Sequence, residues 1–132
     1  MFRERIIVQD SLVADESGSA FRIRLPWYRA LPLSTIEELS VTVDGTAFDP
    51  ARLRIAVNDG EWALAEAQLR TDDVWFVLDD ATVRLPGLVL DAGAHEVQAT
   101  LSMRIPYLPV AGKPLSMAET DQKRMDVKEL TA

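Results

Sequence analysis

The sequence predicts an all-β fold, an antiparallel β-sandwich of six to eight strands with at most one short helix. Three observations carry that reading. Apolar and polar residues alternate at period two through most structured-looking segments, Gly, Pro, Asn and Asp punctuate them at roughly regular spacing, and long helical periodicity is missing. A parallel βαβ design would need crossover helices, which this chain lacks. At 132 residues it has the length of one domain. Residues 1–112 read as the sandwich domain. Residues 113–132 read as a polar tail whose apolar anchors are Met125, Val127 and Leu130, expected to dock as an edge strand or onto a partner.

In chain order, Phe21, Ile23 and Leu25 alternate with Arg22 and Arg24, as a strand with one wet face requires. Leu39-Ser40-Val41-Thr42-Val43 repeats the pattern and ends in Asp44-Gly45, a dipeptide suited to a tight hairpin toward Thr46-Ala47-Phe48. Leu53 to Val57 is a further strand, closed by the turn formers Asn58-Asp59-Gly60. Trp62 to Leu69 favours helix by composition but is about two turns long, so a short helix or helical turn is expected. Asp72 to Val77, with Val74, Trp75, Phe76 and Val77, reads as a short strand buried on both faces, and Ala81 to Leu85 as the strand after Asp79-Asp80. The longest clean alternation, Val97, Ala99, Leu101, Met103 and Ile105 within His95 to Tyr107, marks a central strand.

Charge and composition remove several function classes. The formal charge is −7 with no basic cluster longer than Lys123-Arg124, a field that repels a phosphate backbone, so nucleic acid is not expected as a partner. Ile6-Ile7-Val8 is too brief for a signal-peptide core or membrane span, which leaves no membrane partner and the cytoplasm as the default address. With no cysteine and one histidine, neither a disulfide framework nor a zinc or iron site is available to this chain alone. Asp72-Asp73 and Asp79-Asp80 offer oxygen ligands but lack calcium-loop spacing, and read as turn caps. His95, beside Glu96, reads as a hydrogen-bonding group at a strand end. The glycines lie singly at turns, outside any phosphate-binding or nucleophile-elbow pattern. No catalytic residue is assigned.

What stands out is a pair of proline-aromatic segments, Arg22-Ile23-Arg24-Leu25-Pro26-Trp27-Tyr28-Arg29-Ala30-Leu31-Pro32-Leu33 and Arg104-Ile105-Pro106-Tyr107-Leu108-Pro109, each running off the end of a strand. Proline cannot donate to a ladder and restricts its predecessor, so both are expected to leave the sheet as extended, rigid ribbons. Trp27, Tyr28, Arg29, Leu31, Pro32, Tyr107 and Leu108 are the candidate partner-interface or substrate-proximal residues, since aromatic and arginine side chains dominate binding hot spots. A second reading stays open, in which Trp27 and Tyr107 plug the end of the sandwich.

The block Phe21 to Gly45, with its Pro26-Trp27-Tyr28-Arg29 and Val41-Thr42-Val43-Asp44-Gly45 elements, resembles the beta subunits of bacterial C-glycoside deglycosidases. Gly87-Leu88-Val89-Leu90-Asp91-Ala92-Gly93-Ala94-His95-Glu96-Val97 and Arg104-Ile105-Pro106-Tyr107 are similar to later blocks of that family, so the likeness covers about residues 1–110. Between Trp62 and Val83 only the general shape matches. The resemblance implies a two-component carbon–carbon lyase acting on 3-oxo-C-glycosides, releasing the aglycone and an anhydro-enulose sugar. A larger barrel-type alpha subunit is implied to carry a divalent metal, manganese by the resemblance, and the catalytic base, while this chain binds no cofactor and completes a hetero-oligomer. Two rivals stand beside it. One is a free-standing carbohydrate-binding sandwich using the same aromatics as a stacking platform; the other is a lyase working through His95 and nearby acids.

Overall fold

The structure is a computed structural model that describes residues 6–27, 29–110 and 112–129. Its strands are β1 (Val13–Asp15), β2 (Gly18–Arg24), β3 (Leu31–Pro32), β4 (Ile36–Val43), β5 (Thr46–Ala47), β6 (Arg54–Val57), β7 (Gly60–Ala63), β8 (Val74–Trp75), β9 (Asp80–Pro86), β10 (Ala94–Val110), β11 (Lys113–Asp126) and β12 (Lys128–Glu129). One α-helical turn, α1 (Leu64–Ala67), follows β7. Seven strands have four or more residues and the others two or three. A six-stranded sheet runs in the order β12-β1-β2-β9-β6-β7, a four-stranded sheet in the order β11-β10-β4-β5, and β3 pairs with β8. Pairing is antiparallel except for the parallel contact of β1 with β12.

The two larger sheets turn their apolar faces to one shared core. Phe21, Ile23, Ile55, Val83 and Leu85 come from the six-stranded sheet, and Leu39, Val41, Val97, Leu101, Met103 and Ile105 from the four-stranded one, all buried in a single cluster. The alternation expected over His95 to Tyr107 is realised: Val97, Ala99, Leu101, Met103 and Ile105 are fully buried on β10, an interior strand. Each large side chain there contributes about 1.5–3 kcal/mol of burial free energy. Ile6 and Ile7 are also fully buried, with Val8 N–H donating to Arg22 O at 2.9 Å and Arg24 N–H to Ile6 O at 2.7 Å.

The turns follow their sequences. Asp44 and Gly45 have φ of 51° and 82°, the paired positive angles that join β4 to β5 without splaying them. Asn58 and Asp59, at 55° and 66°, do the same between β6 and β7. That second hairpin leads into β7 where helix was expected, and only Leu64–Ala67 is helical, its Glu66 carboxylate accepting the Ala63 N–H at 3.0 Å.

Two expectations are corrected. The apolar run over residues 72–77 is not a strand buried on both faces: Val74–Trp75 alone pair, with β3, and Phe76, Val77 and Leu78 stand in solvent. The second proline-aromatic segment does not leave the sheet. Strand β10 continues through it to Val110, and the segment from residue 113 on, expected to dock as an edge strand or onto a partner, pairs with β10 as β11 and with β1 as β12.

Candidate functional site

Strand β2 stops at Arg24 because Pro26 cannot continue its ladder. Residues 25–27 and 29–30 lie between this strand end and β3. Leu25 is buried, Trp27 is half-buried against the core, and Arg29 and Ala30 are exposed. Leu31 is 1% exposed and belongs to the core, so its side chain is withdrawn from the candidate surface; Pro32 is half-buried beside it. Tyr28 lies outside the described residues, as does the side chain of Leu108.

On β10 the pairing with β4 ends at Met103↔Ile36, so no neighbour on that side needs a donor from Pro106. Pairing with β11 steps from Ile105↔Leu115 directly to Pro109↔Pro114, leaving residues 106–108 as a wide irregularity in the ladder. Such bulges re-aim side chains, and here Tyr107 is turned out to 40% exposure. Its hydroxyl accepts the Trp27 indole N–H at 2.5 Å, and the Arg29 guanidinium lies 5.2 Å from its ring centroid. The two segments, 80 residues apart in sequence, thus converge on a Trp27–Tyr107–Arg29 cluster. Trp27 packs against the core, and Tyr107 faces water.

A neighbouring element was missed in the sequence. Arg24↔Asp80 and Leu31↔Trp75 are both antiparallel partners, so the turn at residues 76–79 springs from the same two paired positions that bound the first proline-aromatic segment. Residues 76–79 form a tight turn in which Asp79 N–H donates to Phe76 O at 3.0 Å. The buried Trp75 indole N–H donates to Asp79 O at 2.9 Å, and Asn58 holds Val74 O at 2.5 Å. Phe76, Val77 and Leu78 are 53%, 40% and 93% exposed on this turn. The available signal was Asp79-Asp80 directly behind an apolar run without alternation, but a short apolar run has the same composition whether it is buried or displayed.

His95 stands apart from this end of the sandwich. His95 bridges Asp44 Oδ2 through Nδ1 at 2.6 Å and Asp91 O through Nε2 at 2.8 Å. The Asp44 carboxylate, then the Asp91 carbonyl, raise its pKa above 6.5; the His95 contact and the Glu96 amide, in turn, lower that of Asp44. With an acceptor at each ring nitrogen, the doubly protonated ring suits the site. This pair ties the β4–β5 turn to the start of β10, the strand-end role expected of His95. It lies twelve strand positions from Tyr107, roughly 35–40 Å at strand rise, too far to act with the aromatic cluster. Asp73 is held by Arg70 at 2.6 Å and Asp80 by Arg22 at 2.8 Å. Among the described residues no three His, Asp or Glu side chains gather as a group that could hold a metal ion. No described helix is long and apolar enough to cross a membrane.

The model of the C-glycoside deglycosidase beta subunit family matches residues 2–107. The chain belongs to that family. It is similar to a C-glycoside deglycosidase beta subunit of Arthrobacter globiformis, 36% identical over 98% of this chain and 99% of the relative. A beta subunit of Microbacterium trichothecenolyticum is 36% identical over 95% and 96%, and a second one from A. globiformis is 32% identical over 80% and 82%. The family and these relatives are named beta subunits, a name that implies a partner subunit. The matched region contains Trp27, Arg29 and Tyr107 and the turn at residues 76–79.

Proposed function

We propose that this chain is the non-catalytic beta subunit of a cytoplasmic carbon–carbon lyase, and that the Trp27–Arg29–Tyr107 end of its sandwich faces the alpha subunit. The carrying observation is that cluster: a chain of the beta-subunit family gathers Trp27, Arg29 and Tyr107 at one end of its sandwich. The substrate is a 3-oxo-C-glycoside. Its ketone acidifies the adjacent C–H; a base on the alpha subunit removes that proton, the electron pair forms the ring alkene, and the bond from the anomeric carbon to the aglycone breaks. The aglycone leaves with a proton and the sugar as an anhydro-enulose. A divalent metal on the alpha subunit, manganese by family resemblance, supplies charge stabilisation at the ketone when bound. This chain contributes no group to those steps. It positions and completes the partner.

Co-expression of this chain with a family alpha subunit, followed by size-exclusion chromatography and assay on a 3-oxo-C-glycoside, tests the proposal. Co-elution is expected, with activity in the complex and none in the isolated chain. Separate elution, with the alpha subunit equally active alone, would sink it. Calorimetry of the isolated chain against glycosides addresses the rival: heat of binding without a partner would favour the sugar-binding module.

A further inference from the structure

Four of the six strongly exposed large apolar side chains among the described residues are Phe76, Val77, Leu78 and Tyr107, at one end of the sandwich. Turns are ordinarily built from Gly, Pro, Asn, Asp and Ser, which suit the backbone and tolerate water. A turn that spends its positions on Phe, Val and Leu breaks the local rule with no folding gain, the mark of a functional element. It is also preorganised. The Phe76–Asp79 bond closes it, the buried Trp75 indole clamps it, and Asn58 fixes the strand before it, so little ordering remains to be done on binding.

We infer that the Phe76–Val77–Leu78 tip is the apolar anchor by which this chain seats in a hollow of its alpha subunit, with Arg29 meeting an acidic rim. The inference rests on the subunit reading and names the residues that make the contact. Shape and charge choose the occupant. The tip is a convex, mostly aliphatic turn, whereas small-molecule sites are concave, so it suits a hollow in a protein better than a sugar. Arg29 has no carboxylate partner among the described residues although the chain carries −7, which leaves a cation for a partner's acid. A second copy fits less well: a twofold contact through this patch would bring Arg29 toward its own equivalent between two acidic chains.

The test uses the full chain, an alpha subunit of the family, and the variants Leu78→Asp, Phe76→Ser and Val89→Asp. Val89 is a control, 59% exposed on the loop between Pro86 and His95 at the opposite end of the sandwich. Circular dichroism and Tm should match the unsubstituted chain throughout, since these side chains lie in solvent. Titration calorimetry should show Leu78→Asp and Phe76→Ser each weakening the complex about tenfold or more, with Val89→Asp unchanged. Unaltered affinity in both tip variants, while the unsubstituted chain binds, overturns this inference and leaves the subunit reading standing. No complex with the unsubstituted chain overturns both. If light scattering shows the isolated chain self-associating, and Leu78→Asp abolishes that but not the alpha complex, the tip belongs to a second copy.

Discussion

Asp121 illustrates how much one side chain carries here. It is 6% exposed on β11, and its Oδ2 accepts the Ile7 N–H at 2.9 Å, the Ile6 N–H at 3.2 Å and the Lys123 ammonium at 2.8 Å. Burial opposes its charge, but Lys123 and the two amides outweigh that and hold its pKa below 3.8. One carboxylate thus ties the start of the described chain, which lies on β2, to the edge of the other sheet. Asp121→Ala strands two buried amides and a half-buried cation, so unfolding in urea should show a loss of about 3 kcal/mol. Because the folded-state pKa is depressed, this stabilisation is present above the unfolded value and is lost as pH falls through the folded one. His95 runs the other way. Its pKa is raised, so its share is complete below about 6.5 and is lost as pH rises through the elevated folded value. The Tm gap between the unsubstituted chain and His95→Gln should therefore narrow from pH 6 to pH 9; a gap that widened would refute the protonated bridge. The site was only partly legible at this scale. Trp27, Arg29 and Tyr107 could be picked by type because exposed proline-flanked aromatics are unusual. Their meeting depends on a bulge at residues 106–108 that no local pattern encodes. Leu31 was misjudged because adjacency to a surface segment says nothing about which way a side chain points.

At the scale of elements, glycines separate backbone demand from packing demand. Gly18 opens β2 at φ +149°, and a Cβ there would lie 2.6 Å from Leu85 O and 2.9 Å from Gly87 N, both backbone atoms of the paired β9 end and its turn. Gly45, at φ +82°, has open space around it. Gly18→Ala should cost about 2–3 kcal/mol, from a near glycine-only conformation plus a clash that requires strand separation, while Gly45→Ala should cost about 1 kcal/mol. Denaturant midpoints of the two variants check the order, and equal losses would mean that β9 yields to the added methyl. The same contrast explains what the sequence revealed of the elements. Strands with one wet face, β2, β4 and β10, print their burial as alternation, and the Asp44-Gly45 turn prints its φ requirement as residue type. Strand β7 was hidden because Glu61, Trp62 and Ala63 carry helix-compatible types, and its place is set by pairing with β6 across the Asn58–Asp59 turn. The run at Trp75 to Leu78 misled for the opposite reason: its apolar residues are split between core and surface by one turn.

The whole molecule is closed by its last two strands. β11 pairs with β10 from Ala94↔Asp126 to Val110↔Lys113, and the chain then crosses to the other sheet, where Lys128 N–H donates to Leu12 O at 3.0 Å and β12 lies parallel to β1. β11 also supplies Met125 to the core, places Leu115 and Met117 against it, and brings Asp121 to Ile6 and Ile7. Removing it would leave β10, a 17-residue strand with one apolar face, as an unpaired edge of the kind that aggregates. A chain ending at residue 112 should accordingly give no cooperative thermal transition and should elute as aggregate. A chain ending at residue 126 keeps β11 but loses the β12 pairing, the Val127 packing against the core and the Val127 N–H bond to Gly93 O, and should melt cooperatively, at a Tm lower by several degrees. Calorimetry on the two truncations distinguishes a structural β11 from an appended tail, since a tail could be removed at residue 112 with the transition intact. The outcome also bears on assembly. If β11 is needed for folding, then the end that carries Tyr107 and the 76–79 turn is presented by a framework already complete, and the partner meets a preformed surface without having to order one.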